Sequence, residues 1–467
     1  MQPLTPQTFS RIDKLLLDDR GQSPEQSRQT RQAHGLAVVT GQDVAASYEL
    51  QLALLSAINL GTRTFGAKVD VFAPEPVWSA PCLVPAGGNG SLLEAVTSLG
   101  GQRSVQPPAS QRHHILIGAG VESLRSIRAT FDGWLVGVGP ARQMPRLQER
   151  PLCPLAPIAA AALAVCEIFA DFAQLNVEAA RRTVSFSLWR PDRDASDGAG
   201  VGQPIVDLPA SVGVFGLGHL GQAYLWALAA LRYEDREKVQ FTLYDDDPVE
   251  PPNLETGVLL QSTDVGGLKT RAIAHWLEAR DFTTRVIERR ITESYRLSGA
   301  EPLLGLCGFD DNQSRQWLTG VGLARIFDSG LGGEAYNFDT IAFLAWPNPR
   351  PTDKLWKVES ASELAERVER RRAAVNSNAG YAALGVSEEC GHIELAGKSV
   401  AVPFVGALSA CMVVAELLKS LNGGPVFSDI TLRLVSSDAG SADAVLQSEV
   451  ATPIRGVKTQ GVPQTSG

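Results

Sequence analysis

The chain has 467 residues, is 44% hydrophobic, and carries 42 Lys and Arg against 51 Asp and Glu, for a net charge of −9. That length implies about two or three ordinary cores, and the acidic balance excludes nonspecific capture of nucleic acid. The apolar stretches fall short of the ~20 uninterrupted residues of a membrane span, no leader pattern opens the chain, and six scattered cysteines without a C-x-x-C pair exclude structural zinc and a disulfide scaffold. A cytoplasmic location is expected, with no nucleic-acid and no membrane partner.

From the N-terminus, residues 34–45 (HGLAVVTGQDVA) read as strand, glycine turn and helix. Strands are expected again at 68–76, 113–120 and 133–141, then a very apolar helix at 154–169. Residues 190–204, rich in Gly and Asp, read as a linker or surface loop. The order then repeats. Residues 212–215 (VGVF) read as a buried parallel strand, followed by Gly216, Gly218 and Gly221 and a helix. A second strand, 241–244, ends on Asp245, Asp246 and Asp247. LLGLCGFDDN and RIFDSGLGG follow, then a charged helix at 361–375 and a closing apolar helix that begins at Pro403. The tail after 437 is small and polar.

Pro154 to Glu167 and Pro403 to Glu416 span equal lengths, which favours a true internal repeat. Alternating strands and helices imply parallel sheets with right-handed crossovers. The expected fold class is α/β, with two tandem Rossmann-like doubly wound domains forming a pseudo-dimer. The expected boundaries are 1–190 and 205–437, with 438–467 a flexible tail. The halves differ where chemistry would sit. The first has Thr40-Gly41-Gln42 in place of the full glycine loop, and Gly118-Ala119-Gly120 in place of Asp310-Asp311-Asn312. It is expected to keep the fold and to have lost the nucleotide site.

A lone G-x-G-x-x-G is a generic fingerprint: the glycines allow a tight turn, and the helix N-terminus attracts anions. Here it heads an ordered series. Gly216-Leu-Gly218-His-Leu-Gly221 is followed by Asp245-Asp246-Asp247-Pro-Val249-Glu-Pro-Pro-Asn253-Leu254, Asp264-Val-Gly266-Gly-Leu-Lys269, and Asp311-Asn312-Gln-Ser-Arg315. Over roughly residues 210–420 this resembles the ThiF/MoeB/HesA adenylyltransferases and the activating enzymes of ubiquitin-like proteins. With its fused inactive half it also resembles activating enzymes of bacterial ubiquitination-like operons, some of which serve antiviral defence. The resemblance implies adenylation of a C-terminal carboxylate with ATP and Mg2+. It places Gly216, Gly218, Gly221, Asp245, Asp247, Asn253, Lys269, Asn312 and Arg315 around the nucleotide, Asp311 on the metal, and Asp311 and Lys269 in catalysis. It makes 1–190 an inactive adenylation-like domain.

Elementary chemistry agrees. Asp245 or Asp247, at a strand's C-terminal end, is placed to accept from ribose hydroxyls. Lys269, near a helix start, reaches a triphosphate as a point charge. Asp311, just past another strand, suits magnesium. Taken alone, Asp311 reads as a helix N-cap, Lys269 as a solvated lysine, and His219 as a spacer whose side chain points away from phosphate. Thr256 stands where the resemblance expects an arginine, with Arg28 and Arg31 as candidate replacements from the N-terminal segment.

Cys390, in a polar, Gly-flanked loop within an inserted region at about 350–400, is the expected thioester nucleophile. Cys166, Cys307 and Cys411 read as buried small hydrophobes. The partners implied are a ubiquitin-like protein, engaged by its C-terminal tail, and a conjugating enzyme. The alternative is an adenylyltransferase without a thioester step, acting on a sulfur carrier or a peptide. The aromatic, proline-rich segment Trp346-Pro-Asn-Pro-Arg350 with Trp356 either grips a partner's tail or packs as a loop.

Overall fold

The computed structural model describes residues 9–382, 389–447 and 456–458. Among them the first half supplies β1 (Leu36–Thr40), β2 (Val69–Phe72), β3 (Gly101–Arg103), β4 (His114–Ile117), β5 (Ser126–Asp132), β6 (Leu135–Pro140) and β7 (Val184–Ser187). They form one sheet in the order β3-β2-β1-β4-β5-β6-β7. It is parallel from β3 through β5 and antiparallel at β6 and β7.

A short strand, β8 (Asp207–Pro209), leads into the second half. There β9 (Ser211–Phe215), β10 (Gln240–Tyr244), β11 (Thr283–Ile287), β12 (Leu304–Cys307), β13 (Arg325–Leu331), β14 (Thr340–Trp346), β15 (Phe427–Arg433) and β16 (Ala442–Leu446) follow. Their order is β11-β10-β9-β12-β13-β14-β15-β16, the first sheet's topology with one strand added. The repeat inferred from the equal Pro-to-Glu spacing is therefore a repeat of the whole sheet. The chain is α/β, with two Rossmann-like sheets in tandem.

Sequence periodicity missed some strands and misjudged others. β5 (SIRATFD) carries Arg128 and Asp132 inside the sheet, each 6% exposed, which breaks the apolar pattern. Both are paired: Arg128 Nε donates to the Met144 carbonyl at 3.1 Å, and Asp132 Oδ1 accepts from Arg150 Nε at 2.6 Å. The sheets are also mixed, not wholly parallel as expected. Residues expected to lie in a flexible tail form β16 and a final strand, β17 (Gly456–Lys458), which pairs with β8.

The two sheets face a shared layer of helices. Helix Leu155–Phe172 and helix Pro403–Leu421 pack on each other, flanked by helices Tyr48–Phe65 and His219–Ala229. Both central helices are long and apolar enough to cross a membrane by composition, and both are 89% buried within the protein. One continuous apolar cluster runs through both halves.

Each central helix buries one glutamate. Glu167 accepts from the Ala180 N–H at 2.9 Å and from Arg182 Nη2 at 2.7 Å. Arg182 also donates to the Leu434 carbonyl at 3.0 Å and to the Ser436 carbonyl, across to the other half. Glu416 accepts from the Phe427 N–H at 2.9 Å and from Lys419 Nζ at 2.5 Å, and Lys419 donates to the Trp189 carbonyl at 3.3 Å. Burial pushes the Glu416 carboxyl up and the Lys419 ammonium down, each opposed by the other's charge.

This pair yields a stability prediction. Lys419→Met strands a buried carboxylate and should cost about 3–5 kcal/mol in urea unfolding. Replacing both residues, Glu416→Leu with Lys419→Met, should cost less than Lys419→Met alone. A double variant as unstable as the sum of the singles would refute the coupling.

Candidate functional site

The second sheet's topological switch lies between β9 and β12, where an open α/β sheet leaves a crevice at its carboxyl edge. The glycine loop sits there. Gly216 has φ 85°, which favours glycine. A Cβ on Gly221 would lie 2.0 Å from the Gly216 carbonyl oxygen, so loop and helix touch backbone to backbone. Gly218 precedes helix His219–Ala229 without a side-chain cap, and nothing lies within 4 Å of where its Cβ would be. An uncapped helix N-terminus with open space above it fits a phosphate group.

A chain of polar contacts leads outward from this loop. Asp245 accepts from the Leu217 N–H at 2.6 Å and from the Asp247 N–H at 2.8 Å. Lys269, 8% exposed, places Nζ 2.9 Å from Asp247 Oδ2 and 4.0 Å from Asp245 Oδ1. Burial raises the Asp245 pKa, opposed mainly by the Lys269 charge. Lys269 is thus a shielded cation and not a solvated helix lysine. The carboxylates of Asp245, Asp246 and Asp247 lie within 4.8 Å of one another, a spacing that suits a divalent cation.

Other expected site residues are engaged in shaping loops. Asp311 is exposed and caps helix Asn312–Leu318, accepting from the Ser314 N–H at 2.7 Å. Asn312 Nδ2 donates to the Lys357 carbonyl at 2.8 Å, and Asn253 Oδ1 accepts from the Glu250 N–H at 2.8 Å. Arg315, expected at the nucleotide, points inward. Its guanidinium holds the Phe309 carbonyl at 2.7 Å and the Ser329 carbonyl at 3.2 Å, and lies 3.6 Å from Asp328. Trp356 is buried and donates to Asp328 at 2.6 Å, so the aromatic segment packs as a loop at that residue.

Thr256 is buried, its hydroxyl on the Pro252 carbonyl at 3.3 Å. Neither candidate arginine replaces it. Arg31 is fully buried between Asp13, at 3.0 Å, and Glu255, at 3.4 Å, and Arg28 pairs with Asp13 at 3.5 Å. A different arginine lies within electrostatic reach of the loops that carry Glu250 and Asp310. Arg11 opens helix Arg11–Arg20, and its buried Nη1 has no hydrogen-bond partner. Burial lowers its pKa, opposed by the charges of Glu250 and Asp310, one at each of the two site loops. Ser10 caps that helix and donates to Glu255. Nothing in the local sequence around Arg11 announces this burial.

The same helix touches the inserted region. Asn378 Nδ2 donates to the Leu17 carbonyl at 2.9 Å, Tyr381 donates to Asp18 at 2.7 Å, and Phe9 and Leu17 pack with Val375, Tyr381, Leu395 and Ala396. Cys390 falls in helix Glu389–Gly397 where a loop was expected, and its side chain lies outside the described residues. Among the described cysteines, Cys153, Cys166, Cys307 and Cys411 are buried, and burial raises the pKa of each.

In the first half Asp43 sits at the equivalent sheet edge. Both Asp43 oxygens accept from the Ala119 N–H at 3.1 Å, and Arg146 Nη2 donates to Asp43 at 2.5 Å. A Cβ on Gly118 would lie 2.7 Å from that carboxylate.

Residues 35–188 match the BilD N-terminal domain family and residues 208–424 match the BilD C-terminal domain family. The chain is 34% identical over 433 residues to the bacterial E1-like protein BilD of Collimonas sp. (strain OK412), covering 91% of this chain and 90% of that protein. Among solved structures, E. coli MccB with ATP is 16% identical, with a TM-score of 0.35, covering 53% of this chain and 66% of its own. E. coli TcdA, a tRNA N6-threonylcarbamoyladenosine dehydratase, is 16% identical, with a TM-score of 0.29, covering 46% of this chain and 86% of its own.

His219 provides a test of the loop's packing. Its ring points away from the loop onto the second central helix, where a Cβ on Gly406 would lie 1.9 Å from Nε2. Both ring nitrogens are buried without partners, and burial lowers the pKa from 6.5 to about 4. The imidazole is neutral in the fold and protonates in the unfolded chain below 6.5. Its stability contribution is present above pH 6.5 and lost as the pH falls towards 4, up to roughly 3 kcal/mol. His219→Leu should flatten the urea midpoint against pH across that window, and a curve parallel to wild type would refute the assignment.

Proposed function

This chain belongs to the bacterial E1-like BilD family, and from that premise we propose that it activates a ubiquitin-like protein by C-terminal adenylation and then holds it as a thioester on Cys390. The observation that carries the nucleotide reading is the hydrogen-bonded chain from Leu217 through Asp245 and Asp247 to Lys269, which sets a shielded cation beside an open helix N-terminus.

In this reading the ATP phosphates lie over Gly216, Gly218 and Gly221. Asp245 and Asp247 serve ribose and metal, Lys269 and Arg11 flank the triphosphate, and Asp311, Asn253 and Asn312 line the rim. Magnesium, held by the acidic cluster or Asp311, neutralises phosphate charge when bound. A carboxylate oxygen of the partner's C-terminus attacks the α-phosphate, and pyrophosphate leaves. The Cys390 thiolate then attacks the acyl carbon, and AMP leaves. The chain's own contribution to the first step is positioning and charge neutralisation. The first half, its sheet edge occupied by Asp43, is an inactive adenylation domain. A conjugating enzyme would accept the thioester, and the compartment would be the cytoplasm.

Two substitutions test the two steps. Lys269→Ala should lower ATP–pyrophosphate exchange by about a hundredfold, in line with loss of one preorganised charge. Cys390→Ala should leave exchange intact and abolish a DTT-sensitive conjugate. Unchanged conjugate in the alanine variant would sink the thioester step and leave the adenylyltransferase reading. Unchanged exchange in Lys269→Ala would remove the lysine from the site.

A further inference from the structure

Residues 254–260, which follow Asn253 and include Thr256, are tied to the glycine loop through Gln222. That arc is held mainly from the first half. Arg63, on helix Tyr48–Phe65, donates from Nη1 to the Leu254 carbonyl at 2.5 Å and from Nη2 to the Leu260 carbonyl at 2.9 Å. Its Nε donates to Asn59 Oδ1 at 2.8 Å, and Asn59 Nδ2 donates to the Val258 carbonyl at 2.9 Å. From the other side Gln222 accepts from the Leu259 N–H at 3.1 Å and donates to the Leu217 carbonyl at 3.0 Å, in the glycine loop. One relay thus runs from Arg63 through the arc to the loop that faces the phosphates.

Arg63 is only partly exposed, and every acceptor it uses is a neutral oxygen. The nearby carboxylate on the arc, Glu255, is engaged by Arg31 and Ser10. Burial lowers the Arg63 pKa to about 10, with no charged group contributing. A guanidinium held between halves with no counter-ion among the described residues is costly, and a polyanion arriving next to the arc would offset that cost. The second half lacks the expected arginine at Thr256, on this same arc.

We propose that Arg63 serves the second half's site from the first half through its charge: with no counter-ion among the described residues, that charge favours an anionic nucleotide beside the 254–260 arc, and its hydrogen bonds to the arc matter less to binding than the charge itself. This rests on the nucleotide reading of the site. It makes the first half a working part of nucleotide binding.

The test is equilibrium binding of ATP with magnesium to the full chain by calorimetry. Arg63→Gln keeps a single amide donor and removes the charge; Arg63→Lys keeps the charge and loses the fork. The glutamine variant should weaken binding about tenfold or more and flatten the dependence on salt, while the lysine variant should stay within about threefold. Asn59→Ala, which keeps the charge, should also stay within about threefold. Equal losses in Arg63→Gln and Arg63→Lys, or no loss in either, would overturn the proposal. Should Arg63→Gln not fold, a loss well beyond threefold in Arg63→Lys overturns it, and retained affinity there supports it. Absence of ATP binding in the wild type would instead bring down the nucleotide reading itself.

Discussion

Everything in this molecule depends on two apolar helices packed against each other between two sheets. Helices Leu155–Phe172 and Pro403–Leu421 are each too apolar to face water, and each already covers its own sheet. Joining them buries the remaining faces and fuses two Rossmann-like units into one core. The buried Glu167 and Glu416 fix how the helices meet their strands, because a carboxylate removed from water must keep its partners. Arg182 and Lys419 supply those partners and reach across to the opposite half. The join is therefore specific in register as well as apolar.

That join sets the chemistry of the second half. The flanking helix Tyr48–Phe65 lies along helix His219–Ala229, where Tyr48 donates to the Ala230 carbonyl at 2.8 Å and Trp226 to Ser56 at 3.2 Å. The same helix carries Asn59 and Arg63 to the loop beside the glycine turn. The N-terminal helix brings Arg11 within reach of the charges of Glu250 and Asp310 and packs on the region that holds Cys390. A half whose own sheet edge is occupied by Asp43 thus contributes side chains to its neighbour. Such contacts do not require a ligand in the first half, since the packing that carries them does not depend on one.

The individual residues divide by what surrounds them. Lys269 and the acidic run ended up together because one strand end and one helix start share the sheet's carboxyl edge. Arg315 was misplaced because its spacing says only that it follows Asp311 by one helical turn. Whether such a residue faces the ligand or the strand beneath depends on helix orientation, and here the carbonyls of Phe309 and Ser329 capture it. Cys390 was placed in a loop because Gly391 and the acidic residues before it mimic turn chemistry, while the backbone there is helical.

The sequence by itself determined the repeat, the glycine turn, the strand-end carboxylates and the two core helices. These follow from local rules: apolar periodicity, the freedom of glycine and the equal spacing of Pro and Glu in each half. Only the tertiary structure decided which side chains of the first half meet the loop after Asn253. Ser10 meets Glu255 across 245 positions, and Arg63 meets Leu254 across 191. Contacts at that separation leave no periodic trace in the chain, because they arise from how two finished units dock and not from how either one forms.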